Sequence, residues 1–153
     1  MGQRVEFDVD ASRSIAEMTA MGTRAKSFTN VFSWARERLA LSNAANFASN
    51  GLPSGNAWDP LDPEYGAWKS RHFPGAPPMV RTGKLFKSLT SLRGAGNVIT
   101  PQMAEFGTTV RYAKFHQDGT RHMPKRQIVF EPPLFARELG DKVARWVNDG
   151  DVI

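Results

Sequence analysis

Between Asn50 and Pro78 the chain carries ten prolines and glycines, a density at which neither a helix nor a strand can run far. Each proline removes a backbone donor and fixes φ, and each glycine adds freedom that regular structure must overcome. The 153-residue chain is thereby cut into two parts that must build their elements separately. Yet Trp58, Leu61, Tyr65, Trp68 and Phe73 are embedded in this stretch. Segments that stay disordered are poor in large aromatics, because burying such side chains is what offsets the entropy of ordering. The stretch at about 50–78 therefore reads as an ordered loop, or as a flap that packs on a neighbouring subunit. Pro63 can open a short helix through Lys69, since the first helical turn tolerates proline.

Ahead of this stretch two periodicities follow one another. Val5, Phe7 and Val9 alternate with Arg4, Glu6, Asp8 and Asp10, the period of a strand with one buried face. Asp10 or Ser12 then offers an N-cap oxygen. From Ile15 to about Ala48 the spacing turns helical, with Ile15, Met18 and Met21 in one stripe and Phe28, Val31, Phe32, Ala35 and Leu39 in another. The reading is one long helix, with Gly22-Thr23 as the place for a kink or break.

After Pro78 the elements are shorter. Leu85 to Leu92 reads as a strand, Arg93 to Asn97 as a turn, and Val98-Ile99 and Ala104 to Thr108 as strands across it. Val110 to Ala113 leads into a short helix carrying Lys114 to Gln117. Ile128 to Phe130 reads as a last strand, ended by Pro132-Pro133. Phe135, Leu139, Val143, Trp146 and Val147 share one face of a C-terminal amphipathic helix, with Glu138 and Lys142, and Asp141 and Arg145, four apart on the other. The expected architecture is α+β and a single domain over 1–153: a central antiparallel sheet packed with a long N-terminal helix and a C-terminal amphipathic helix.

Composition narrows the chemistry. With no cysteine, thiol nucleophiles, thiolate metal sites and disulfides are excluded together, which fits folding in a reducing cytoplasm. No run approaches the ~20 apolar residues of a membrane helix, and the N-terminus lacks the apolar core of a secretory signal. The net charge of +5 is scattered, its densest piece being Arg121 to Arg126, so it reads as a solvated positive excess and not as a recognition helix. Thr82-Gly83-Lys84 lacks the glycine spacing of a phosphate loop. His116 and His122 stand six apart, too far for a helical metal pair; His116 reads as partly buried and hydrogen-bonded beside Tyr112, with His122 at the surface. Ser88 has no nucleophile elbow around it, and the carboxylates Glu64 and Glu105, or Asp59 and Asp62, sit in solvated contexts. Gly107 and Gly119 read as meeting backbone demands at turns. No catalytic, cofactor or metal site is expected. Trp58, Tyr65 and Trp68 offer rigid contact area suited either to an interface or to the chain's own core.

Four ordered segments carry a resemblance. They are Trp58-Asp59-Pro60-Leu61-Asp62-Pro63 with Tyr65, Trp68 and Lys69; Arg81-Thr82-Gly83-Lys84-Leu85 with Ser88; Phe106-Gly107-Thr108 with Val110, Tyr112-Ala113, His116-Gln117 and Gly119-Thr120; and Met123-Pro124 with Arg126. Together they resemble the virion morphogenesis (tail-completion, or neck) family of tailed bacteriophages, over roughly the central half of the chain. The resemblance implies a non-enzymatic structural protein, made in the host bacterial cytoplasm and built into the virion. It implies a cyclic homo-oligomer, a hexamer, at the neck or head-proximal end of the tail, joining head to tail around the DNA channel. Its partners would be neighbouring neck, portal-adaptor or tail-tube proteins, with genomic DNA passing through the lumen unread and no membrane involved. A head-side stopper or connector ring is the nearest alternative. The charge leaves a nucleic-acid-binding accessory protein as a rival from another class, and Glu64 or Glu105 a tail-associated hydrolase. Assembly candidates are Trp58, Tyr65, Trp68, Arg81, His116, Gly119, Arg121, Lys125 and Arg126. The segment Gly119 to Arg126 is expected to be exposed, with Arg126 free to donate paired bonds. Where the family often continues its Pro-x-Arg with proline and a large apolar residue, this chain has Gln127-Ile128.

Overall fold

Helix α2 (Thr29–Ala48) is the spine on which the other elements are arranged. A computed structural model describes residues 11–151 apart from Asn56 and Ala95. The expected strand over residues 4–10 lies outside the described residues. In chain order the elements are α1 (Ser12–Arg24), α2, a 3-10 turn (Leu52–Ser54), α3 (Pro63–His72), α4 (Lys84–Thr90), β1 (Val98–Ile99), β2 (Ala104–Glu105), α5 (Ala113–Asp118) and α6 (Phe135–Asp149). The class is mixed α+β but mostly helical: among the described residues the sheet is one antiparallel pair, with Val98 opposite Glu105 and Ile99 opposite Ala104.

The N-terminal helical region is broken, and not at Gly22, which lies inside α1. The break spans residues 25–28: the amides of 25–27 still bond back into the last turn of α1, and at Phe28 a tertiary tether replaces the helical bond. The Phe28 amide donates to the Pro101 carbonyl (2.7 Å) and Gln102 Nε2 to the Lys26 carbonyl (3.4 Å), tying this corner to the β1–β2 turn. The N-cap of α1 is Ala11, with Ser12 already in the first turn.

Along α2 the buried face changes character. Val31 and Ala35 are apolar, but Ser42, Asn43 and Asn46 further along are buried too. Buried amides must find partners. Asn43 Nδ2 donates to the Leu89 carbonyl (3.2 Å) and Asn46 Nδ2 to the Gln127 carbonyl (3.0 Å). The helix thus holds α4 and the 126–130 segment by hydrogen bonds as well as by packing. The core sits at its C-terminal end: Phe47 meets Trp58 and Phe86 edge-on, each at 5.4 Å, with Leu85, Leu89, Val110, Ala113 and Ile128 around them.

At the other end, α6 runs antiparallel to α2. Trp34 stacks on Phe135 (6.2 Å), and Arg38 Nε pairs with Glu138 Oε2 (2.8 Å). Glu138 is therefore engaged across the helix pair, while Lys142, its expected partner, lies 5.5 Å from the Trp34 ring centre. Arg24 fastens α1 to the last turn of α6 by donating to the Val147 and Asn148 carbonyls, where the negative end of the helix dipole favours a cation. Trp146 Nε1 returns the contact by donating to the Arg24 and Ser27 carbonyls.

Two expected strands are absent among the described residues. Leu85 to Leu92 is largely α4, because Leu85 and Leu89 recur at helical spacing and both point into the core. Ile128 to Phe130 bends at Val129 and joins no ladder among the described residues. Gln117 serves instead: its Oε1 accepts from the Ile128 and Val129 amides (2.9 Å each), and its Nε2 donates to the Val129 carbonyl (2.8 Å). Pro63 does open α3, and the Asp62 carboxylate caps it by accepting from the Glu64 and Tyr65 amides.

Candidate functional site

The four sequence segments meet around one groove of about 500 Å³, walled by α3, the 78–84 loop, α4, α5 and the 119–126 hairpin. Side-chain-to-backbone bonds zip them together. Arg126 is only 4% exposed, and its Nε and Nη2 donate to the carbonyls of Asp59 (3.1 Å) and Pro60 (2.9 Å). The expected exposure of Arg126 is thus corrected: its guanidinium is committed to the Trp58–Pro63 segment, whose carbonyls need donors in a stretch poor in regular structure. Trp58 closes the same seam by donating from Nε1 to the Gln127 carbonyl (3.1 Å). Ser88 and Thr108 join the second and third segments at 2.7 Å. Since the Ser88 proton goes to the Leu85 carbonyl, the Thr108 hydroxyl is the donor, and it accepts in turn from the Val110 amide. Ser88 is therefore a strut between α4 and the chain after β2, with no histidine beside its hydroxyl.

Lys69 performs a similar task one turn further along α3 from Tyr65. It is 3% exposed, and its ammonium donates to the carbonyls of Ala76, Pro77 and Pro78, fixing the proline-rich loop that leads to the groove. Burial holds its pKa below the ordinary value.

Of the two turn glycines singled out in the sequence, one is required. Gly119 has φ of +76°, and a Cβ there would meet Lys125 N at 3.0 Å inside the hairpin closed by the Thr120–Met123 bridge. Gly107 has room for a side chain; the glycine that its surroundings require is Gly96, where a Cβ would come within 2.5 Å of the Gly107 carbonyl. That close backbone approach holds the turn after α4 against the chain leaving β2.

Tyr65, Arg81, His116 and Arg126 are brought together at the groove. Trp58 lies in the core, and Trp68 stands on the outer side of α3 in an exposed aromatic ladder, stacked on Tyr65 (5.6 Å) and His72 (4.6 Å). Gly119, Arg121 and Lys125 belong to the hairpin without lining the groove. Sequence reasoning missed Met79, Lys84, Phe86 and Phe115 as groove residues. Tyr112 and Phe115, three apart beside a short helix, were the available signal: they are 42% and 47% exposed. His116 is half-buried with its ring edge-on to Tyr112 (6.1 Å), as its spacing implied, but its Nδ1 has no hydrogen-bond partner. Burial, and then the neighbouring Arg126 charge, hold the imidazole below its ordinary pKa, so the ring is neutral near pH 7.

The groove offers an apolar aromatic floor, a cationic lip at Arg81 and Lys84, and a single acidic lining residue, Asp62, whose Oδ1 is already occupied capping α3. Among the described residues no three His, Asp or Glu side chains gather as a metal site, and no helix is long and apolar enough to cross a membrane. The arrangement is suited to gripping an apolar, anionic surface. A family model described as the phage virion morphogenesis family matches residues 12–139, which takes in every element from α1 to the first turn of α6. No curated protein and no solved structure matches the chain.

Proposed function

Because the chain belongs to the phage virion morphogenesis family, whose members serve the building of the virion, we propose that it forms a ring at the neck or head-proximal end of a phage tail. The ring, a hexamer, completes the tail and joins it to the head around the DNA channel. Its contribution is geometric and not catalytic. The observation that carries this reading is the convergence of all four family-like segments on a groove with exposed aromatics and uncommitted cations, with their hydroxyl, amide and guanidinium groups spent on holding loops. Large aromatics and arginine dominate protein interfaces. Tyr65, Trp68, Arg81, Arg121 and Lys125 are all exposed and form the outward set. His116 lines the groove, while Trp58, Gly119 and Arg126 shape it from within.

A groove on one face and contact surfaces elsewhere suit head-to-tail association, which closes into rings when the rotation allows. Neighbouring neck, portal-adaptor or tail-tube proteins are the partners above and below, and genomic DNA passes through the lumen without sequence-specific recognition. Negative-stain microscopy of a lysate from phage lacking the protein tests the reading. Filled heads lying apart from tails, or tails of uncontrolled length, are the expected result; normal joined particles would overturn it.

A further inference from the structure

The occupant of the groove can be specified from its chemistry. The floor presents Phe86, Tyr112 and Phe115, and the lip presents Arg81 and Lys84, neither of which has a salt-bridge partner among the described residues. A fitting ligand is an extended peptide with apolar side chains on one edge and carboxylates on the other, since successive side chains of an extended chain face opposite ways. The chain itself contains such a sequence. Val5-Glu6-Phe7-Asp8-Val9-Asp10 places three carboxylates alternately with three apolar residues, immediately before α1.

The root of α1 stands away from the groove. No residue of α1 is buried and none lines the groove. Its C-terminal end is pinned to α6 by Arg24, beside the start of α2, whereas the groove is built on Phe86 and Leu85 beside Phe47, near the end of α2. Twenty helical residues separate these ends by about 30 Å. The root of α1 and the groove thus lie at opposite ends of α2, and no described residue of α1 enters the groove of its own chain. We propose that residues 5–10 of one copy dock in the groove of a second copy, Val5, Phe7 and Val9 on the aromatic floor and the carboxylates at Arg81 and Lys84. This rests on the ring reading and names its contact.

The test is a charge swap in the full chain, with oligomeric state followed by light scattering on a sizing column. Glu6→Lys with Asp8→Lys, and separately Arg81→Glu with Lys84→Glu, each weaken association at least tenfold on their own, because arm and groove then carry like charge. An equimolar mixture of the two restores it, since each arm now meets an opposite groove. Unchanged thermal melts of the two variants show that folding is intact. As a direct probe, a labelled synthetic peptide of residues 3–11 binds the Glu6→Lys, Asp8→Lys protein and not the Arg81→Glu, Lys84→Glu protein. Variants that associate like the wild type, a mixture that fails to recover, or a monomeric wild type each overturn the docking. The first of these leaves the ring itself standing, and the ring's role is judged separately by the particle microscopy above.

Discussion

The end of the molecule around the groove and the end around α1 are held by opposite means. Around the groove, loops with little regular structure are tied at many points: Arg126 to Asp59 and Pro60, Gln117 to Ile128 and Val129, and Lys69 to three carbonyls. At α1, a regular helix is fastened at its root through Arg24 and Trp146, and leaves Ile15 58% and Met18 63% exposed. Regular structure satisfies its own backbone and so can stand with few contacts; irregular structure must be satisfied by side chains. The lesson is that the loop-built end is the more densely bonded one, while the helical end leaves apolar surface in water.

The comparison can be broken most sharply at its centre. Phe47→Ala removes the ring that both Trp58 and Phe86 pack against, and the expected loss is about 4 kcal/mol, a melting temperature lower by on the order of 10 °C. A loss under ~1 kcal/mol would show that the groove end does not depend on this core. Arg126→Ala comes next. It removes two charge-assisted bonds and leaves the Asp59 and Pro60 carbonyls without them, an expected cost of about 3 kcal/mol in denaturant unfolding. If Arg126 were an interface residue alone, the monomer's stability would not change.

A smaller effect concerns pH. The folded pKa of His116 lies below the ordinary 6.5, so the unfolded chain binds this proton more readily than the native one. Stability therefore falls as pH drops through about 6.5 towards the folded value, where the loss is complete, and recovers above 6.5. Thermal melts between pH 7.5 and 5.5 check the sign: the His116→Asn protein has a flatter profile than the wild type, and equal profiles would remove His116 from the account. The smallest expected effect is at α1. Ile15→Ser with Met18→Ser changes the stability of the isolated chain by no more than about 0.5 kcal/mol, because both are already largely in water. A drop above ~2 kcal/mol would mean that the helical end is packed after all.

Much of this architecture is legible in the sequence where periodicity is strong. The stripes of α2 and α6 and the proline start of α3 follow from spacing and from the missing proline donor. Leu85 and Leu89 give α4 the same helical spacing, but over seven residues Ser and Thr content is an equally strong cue for a strand. Ile128 to Phe130 has the composition of a strand, but its backbone bends at Val129. What could not be read locally is that a side chain, Gln117, would take the place of the neighbouring strand. Asn43 and Asn46 continue the buried stripe of α2 from Ala35, yet polar residues at such positions are ordinarily read as solvent-facing. The groove was legible as a set of segments and not as a surface. Arg126 illustrates why: its charge pointed to an exposed contact, whereas the carbonyls that bury it lie 66 and 67 residues away.

Lys69 has a consequence for chemistry done on the whole molecule. An ammonium wrapped by the carbonyls of Ala76, Pro77 and Pro78 has no face open to an acylating reagent, although its lowered pKa would make the free amine a good nucleophile. Exposed neighbours such as Lys84 and Lys87 react at once in a covalent-labelling time course. Lys69 reacts only in the moments when the proline-rich loop lets go, so its slow modification is a built-in clock for the opening of the groove's outer wall.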